Sequence, residues 1–483
     1  MNLSVVQRIL GLMLLMFSLT MLPPIGVALA MGDGHWYPFL LAFFAVAAAG
    51  FLLWLPVRGV RRDLRLRDGF LVVAVFWICL GLAGAAPLLI SDVPALSFTD
   101  AVFEAVSGFT TTGATVITGL DGLPKSILYY RQQIQWLGGM GIIVLAVALM
   151  PVLGIGGMSL YKAETPGPMK DQKLTPRITQ TAKALWIAYV LLTAACAVGF
   201  YLAGMSVFDA VGHAFATLST GGFSPYDASM GHFDSVAIDA VATVFMFLGG
   251  VNFALHFSAL RRQDLRLYAR DTEFLAYFLL SAAIIGCMTA YLWLHGDYEA
   301  PLQALRYASF QVVSIQTTTG FTTASFADWP GALPALLILL SFIAGCAGST
   351  TGGMKVIRWL LVFRQGVADL KRLVHPSAQI PVKLAGRPIP QQVINGVAGF
   401  FAMYFIVFGA LMLTLMMLGL DQVTAWSAVA TTLNNVGPGL GDVAVTFHTV
   451  PDAAKWVGIV AMIAGRLEIS ALLLLLTPAF WRK

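Results

Sequence analysis

The chain is a succession of long apolar runs separated by short polar stretches. The runs are continuous rather than alternating, which excludes the strands of a membrane β-barrel. A run of about 20 apolar residues is long enough to cross a bilayer as a helix. Ten such spans are expected, at 7–31, 36–57, 69–91, 131–155, 181–205, 238–261, 272–295, 332–363, 393–419 and 453–478. Four further segments, near 97–110, 207–219, 301–317 and 422–434, have helical character but are too short to cross. The first run ends in Ala28-Leu29-Ala30, like a signal-peptidase site. It exceeds the roughly 7–15 residues of a signal core, so it is expected to remain as a membrane helix.

Composition agrees with a protein dissolved in lipid. Of 483 residues, 58% are hydrophobic and the mean hydropathy is +0.81. Only 11% are charged, against about 25% in soluble domains. A soluble enzyme, a secreted protein and a nucleic-acid-binding protein are disfavoured on these grounds. Cys79, Cys196, Cys287 and Cys346 all fall inside apolar runs without metal-ligand spacing, so they read as small buried hydrophobes. The histidines form no HExxH or similar pair, and no catalytic constellation is visible.

Charge placement sets an orientation. Lys and Arg gather in 58–68, 156–183, 261–270 and 355–387, and at Arg8, Arg482 and Lys483. By the positive-inside rule these loops and both termini are cytoplasmic. The opposite face carries Asp92, Asp100, Glu104, Asp121, Asp209, Asp227 and other acids, together with the four short segments. An acidic outer mouth concentrates cations.

The short segments are members of a fourfold internal repeat. Each runs into a Gly/Thr-rich stretch: TTTGAT at 110–115, STGGFS at 219–224, TTTGFT at 317–322 and NNVGPG at 434–439. Gly113, Gly222, Gly320 and Gly437 are equivalent, and twelve residues before them stand Ala101, Ala210, Ala308 and Ala425. Downstream come WLGGM, FLGGV, FIAGC and MIAGR, aligning Gly139, Gly250, Gly345 and Gly465. Each unit therefore reads as a membrane helix, a re-entrant pore helix, a Gly/Thr loop and a second membrane helix. Non-helical backbone at membrane depth must line water or be buried in protein. Four copies suggest a ring about a pore, in which backbone carbonyls replace the hydration shell of a monovalent cation. The C-terminal, partly negative ends of the short helices also favour a cation. The expected filter is Thr111, Thr112 and Gly113; Thr220, Gly221 and Gly222; Thr318, Thr319 and Gly320; and Asn435, Val436 and Gly437. The carbonyls of Thr112, Gly221, Thr319 and Val436 are the expected ligands of that cation.

The four-unit layout, these loops, GCAGSTTGGMK at 345–355 and IAGRLE at 463–468 resemble the Trk/Ktr/HKT superfamily of potassium transporters. The extra N-terminal helix pair and the length resemble its bacterial TrkH branch. The resemblance implies potassium uptake across a bacterial inner membrane by a homodimer. It also implies gating by a cytosolic, TrkA-like nucleotide-binding subunit, with any nucleotide on that partner and no covalent cofactor here. In that superfamily a serine at the first filter position accompanies sodium permeation, and Gly113 stands there in this sequence. The fourth loop departs from the pattern, because no threonine precedes its glycine.

Two polar features lie inside the membrane. Arg466 falls mid-span in the last unit only, where an arginine costs roughly 2.5–3.5 kcal/mol to insert. It is expected to face the pore just inside the filter, and not to pair with Glu468. GCAGSTTGGMK interrupts the second helix of unit three, with the break expected at Gly352 and Gly353. Gly345, Gly348, Ser349, Thr350, Thr351, Gly352, Gly353 and Lys355 are the expected gating loop, acting with Arg466.

The expected fold class is an all-α polytopic membrane protein. Four tandem units at 69–180, 181–271, 272–392 and 393–483 surround a pseudo-fourfold pore, and two additional helices with a basic loop occupy 1–68. The expected function is potassium-selective, channel-like uptake rather than enzyme catalysis. The alternatives are a sodium or unselective pathway of the same fold, a proton-coupled symporter, and a scaffolding subunit without its own pathway.

Overall fold

The computed structural model describes residues 3–60, 66–149 and 178–482. Among them helix dominates, and the one sheet is the antiparallel pair Lys383–Leu384 with Arg387–Pro388. Six expected spans form long apolar helices: Leu3–Met31, Tyr37–Val57, Asp68–Ile90, Ala182–Leu202, Thr272–His295 and Gln391–Met417. The first two pack backbone to backbone. A β-carbon on Gly11 would lie 2.7 Å from the Trp54 nitrogen, and one on Gly50 would lie 2.8 Å from that of Leu15. Small residues permit this approach where lipid supplies no hydrophobic drive between helices.

The other four expected spans are the second long helix of each unit, called inner helices below, and all depart from a plain apolar span. The first, Lys125–Leu149, is continuous but buries Arg131, Gln132, Gln133 and Gln135; expected residues 150–155 lie outside the described residues. The second is broken, with Val236–Gly249 and Phe253–Arg262 meeting at 100°. The third splits into Leu333–Leu340 and Val356–Val374. The fourth stops at Arg466 and resumes as Ser470–Leu476, with φ of 54° at Glu468 and 50° at Ile469 between. Hydropathy counts apolar side chains and is blind to such breaks, which polar partners inside the bundle stabilise.

The four short segments are helices Phe98–Phe109, Val207–Leu218, Pro301–Gln316 and Gln422–Leu433. Ser97 and Ser206 cap the first two by accepting from the Asp100 and Asp209 amides, each at 3.1 Å. Asp421 caps the fourth, and Pro301 starts the third. Ala101, Ala210, Ala308 and Ala425 are all buried, so the repeat alanines mark where the pore helices pack. The four cysteines are free, and Cys196 and Cys346 are buried, but Cys79 is half-buried and Cys287 exposed, which corrects the reading of those two as buried residues.

Candidate functional site

Each pore helix ends in the same backbone motif. Thr111, Thr220, Thr318 and Asn435 have positive φ of 52°, 52°, 57° and 57°. Their amides donate to carbonyls three residues back, at 3.0, 3.1, 3.1 and 3.3 Å. The next amides, of Thr112, Gly221, Thr319 and Val436, donate five residues back, each at 2.8 Å. This is a Schellman ending, here with non-glycine residues in the left-handed position. Asparagine tolerates that region better than most residues, so the departing fourth loop keeps the backbone of the other three.

The glycine two residues on has φ of 79°, 77°, 82° and 100° at Gly113, Gly222, Gly320 and Gly437. A β-carbon at Gly113 would lie 2.1 Å from the Gly221 carbonyl oxygen. One at Gly222 would lie 1.9 Å from that of Thr319, and one at Gly320 1.9 Å from that of Val436. One at Gly437 would lie 2.9 Å from that of Thr112. The contacts run from unit one to two, three, four and back to one, so the loops close into a ring. The oxygens met in turn are the four expected ion ligands. Those of Thr112, Thr319 and Val436 accept no hydrogen bond among the described residues.

The inner helices support this ring, and their register differs from the sequence alignment. A β-carbon at Gly465 would lie 2.0 Å from the Leu433 oxygen, at the end of its own pore helix. The matching contact in unit one is made by Gly138, 1.9 Å from the Phe109 oxygen, not by Gly139. Gly139 and Gly250 instead leave room for the Tyr189 and Tyr277 hydroxyls of the following unit, which donate to the Trp136 and Phe247 carbonyls.

The interruption in unit three lies against the ring. It is wider than expected: helix ends at Leu340, before any glycine, and resumes at Val356. Ser341 donates to Ile338 and accepts from Asn434, which stabilises the stop. Gly348 and Gly353 have φ of 75° and 56°. Gly352 has no positive φ; its missing side chain instead admits the Asn434 carbonyl, 2.1 Å from where a β-carbon would sit. Gly345 similarly lies against Gly250, whose carbonyl accepts from Cys346 at 2.8 Å. The tip touches units two, three and four. Thr350 donates to the Leu218 and Gly249 carbonyls at 3.0 and 3.1 Å, and the Gly352 amide donates to the Thr318 hydroxyl at 2.8 Å. Ser349, Thr351 and Lys355 bond to the loop itself. Glu273 accepts from the Ala347 and Ile357 amides at 2.8 and 3.2 Å, pinning both arms.

Arg466 joins this loop to the ring. Buried, it donates to the Thr111 hydroxyl at 2.5 Å and to the Thr350 carbonyl at 3.1 Å. It makes no ion pair among the described residues, and Glu468 pairs instead with Arg358 at 2.5 Å.

A buried polar cluster behind the ring was not singled out from the sequence, although RQQIQ inside a membrane helix marks it. Arg131 and Glu104 form an ion pair at 2.8 Å, 1% and 0% exposed. Glu104 also accepts from the Val116 amide, and Arg131 donates to the Ser224 carbonyl, so the pair ties the Gly/Thr loops of units one and two together. Replacing Glu104 with Gln leaves a buried guanidinium without a counter-charge, at a cost of about 3–5 kcal/mol. The expected result is a sharply lower melting temperature in detergent, followed by a fluorescence or light-scattering unfolding scan.

Four re-entrant helices, a closed ring of loops and inner helices broken in three of the four units define a multi-pass membrane protein of the fourfold pore-helix class. A family model described as cation transport protein, TrkH, matches residues 36–483. The Trk system potassium uptake protein TrkH of Halomonas elongata is 53% identical over 483 residues, covering 100% of both chains. That of Escherichia coli is 50% identical, again over 100% of both. The crystal structure of the potassium transporter TrkH from Vibrio parahaemolyticus aligns with TM-score 0.93 at 53% identity, over 100% of each chain. The chain belongs to the TrkH family of cation transport proteins.

Proposed function

We propose that this chain takes up potassium across a bacterial inner membrane through a potassium-selective, channel-like pore. The observation that carries the reading is the ring of four left-handed glycines against the carbonyls of Thr112, Gly221, Thr319 and Val436. Oxygens from four loops at one level can replace the hydration shell of a monovalent cation. The loop at 341–355 is the gate, held against the filter by Thr350, Gly352 and Arg466. Relatives named for potassium uptake support the ion, and their naming as parts of a Trk system supports a further component.

Both termini are cytoplasmic in this reading, and the protein works as a homodimer. A cytosolic, nucleotide-binding subunit docks on the basic loops. Of these, 151–177 lies outside the described residues. The segment after Val374 folds back on the helix before it, whose Arg372 donates to the Ile380 carbonyl at 2.6 Å and whose Arg364 donates to that of Lys383.

Flux into proteoliposomes, with potassium and sodium in competition, tests the reading. Faster potassium entry is expected. Equal entry favours an unselective pathway, dependence on a proton gradient favours a symporter, and no entry favours a scaffolding subunit. Arg466→Ala removes a fixed positive charge from a low-dielectric passage and frees the Thr350 carbonyl. It is expected to raise flux several-fold, about the effect of one charged hydrogen bond on an open–closed equilibrium. Unchanged flux in folded protein would remove Arg466 from the gate.

A further inference from the structure

Position two of the filter loops is threonine in loops one and three, valine in loop four and glycine in loop two. The structure accounts for the exception. In loop one the Thr112 hydroxyl pairs with that of Thr110 at 2.7 Å, and in loop three Thr319 pairs with Thr317 at 2.7 Å. In loop two the corresponding space holds the Gln135 amide, reaching across from the inner helix of unit one. A β-carbon on Gly221 would lie 2.5 Å from its Cδ.

Gln135 is fully buried and both ends of its amide are engaged. Its nitrogen donates to the Gly221 carbonyl at 2.6 Å, and its oxygen accepts from the Phe223 amide at 3.0 Å. The Phe223 donor dictates which end is oxygen, so the nitrogen faces Gly221. The two bonds bracket Gly222 and set the angle of the peptide before it. Among the described residues, Gly221 is the one of the four filter carbonyls that accepts a side-chain hydrogen bond. A carbonyl oxygen has two lone pairs. One is taken by Gln135, the other is left for the axis, and a donor on the first polarises the group.

We propose that Gln135 is a positioning residue for ion selectivity, which fixes and polarises the Gly221 carbonyl and makes the filter chemically unequal on one side. The inference rests on the filter reading above. Selectivity depends on the number and field strength of the coordinating carbonyls, so a change at one of four is felt in the ratio of ions rather than in folding alone.

The test uses full-length protein in proteoliposomes, with potassium and sodium flux measured on the same preparation and melting temperature recorded beside them. Gln135→Leu removes both hydrogen bonds at similar volume. The potassium-to-sodium flux ratio is expected to fall about five- to tenfold, the scale of one net hydrogen bond. Gly221→Thr alone places a side chain against the Gln135 amide and is expected to lose selectivity. The double variant Gln135→Ala/Gly221→Thr empties that space and allows the new hydroxyl to pair with Ser219, as Thr112 does with Thr110. It is expected to recover most of the ratio, which a merely structural role for Gln135 does not predict. An unchanged ratio in folded Gln135→Leu overturns the proposal, and so does a double variant no more selective than Gly221→Thr. If Gln135→Leu fails to fold, the Gly221→Thr pair decides. Failure of the filter reading itself shows separately, as absent discrimination in the unmutated protein.

Discussion

Removing Ser349–Gly353 is expected to raise potassium flux in proteoliposomes without any soluble subunit. The segment supplies the contacts that bind the loop to the pore. Thr350 donates to two carbonyls of unit two, Gly352 donates to Thr318, and the Thr350 carbonyl receives Arg466. Each hydrogen bond is worth about 0.5–1.5 kcal/mol net, so losing several shifts a closed–open equilibrium by about tenfold or more. The milder Thr350→Val removes two of them at constant shape and is expected to move flux in the same direction by a smaller factor. Initial rates of potassium entry, corrected for the amount of folded protein, read both. Deletion protein that is monodisperse and conducts like the parent shows that the loop does not limit flux. Arg466 grips this same loop, so its removal and the deletion act on one equilibrium, and their combined effect is expected to fall short of the product.

Gly113→Ser is expected to lower the potassium-to-sodium flux ratio by about tenfold or more, equivalent to at least about 1.4 kcal/mol of discrimination. Its φ of 79° disfavours any side chain, and its β-carbon would sit 2.1 Å from the Gly221 oxygen. Ordinary contact needs 3.4 Å or more, so that carbonyl must retreat by about 1 Å. Carbonyl ligation responds to displacements of this size. Gly320→Ser should act in the same way through Val436. Competition flux with purified variants measures the ratio, and a Gly113→Ser protein that folds and discriminates normally would show that loop one is not part of the filter.

Much of this architecture was legible in residue order. The pore helices declared themselves as apolar segments too short to cross, each followed by a Gly/Thr loop, and Thr111, Thr220, Thr318 and Asn435 share one backbone state. Six outer spans are plain in their hydropathy. The inner helices were not, because their breaks are set by partners distant in sequence. Ser341 ends its helix with help from Asn434, and Gly250 turns where Cys346 meets it. The third-unit interruption was visible as a cluster of glycines and hydroxyls, but its extent was not. Its early boundary depends on hydrogen bonds that no local pattern encodes. The role of Gln135 was hidden for the same reason, since its two partners lie 86 and 88 residues away.

The four joints of the ring of loops are not equally tight. Three would force a β-carbon to within 1.9–2.1 Å of the neighbouring oxygen, whereas at Gly437 the nearest atoms stand at 2.8–3.0 Å. Across that fourth joint runs a side-chain tie, from the Asn435 amide to the Thr112 hydroxyl at 2.9 Å. The ring therefore has a seam, with a stitch across it. A ring that widens is expected to part first where the first and last repeats of the single chain meet, like a clasp opening rather than an iris.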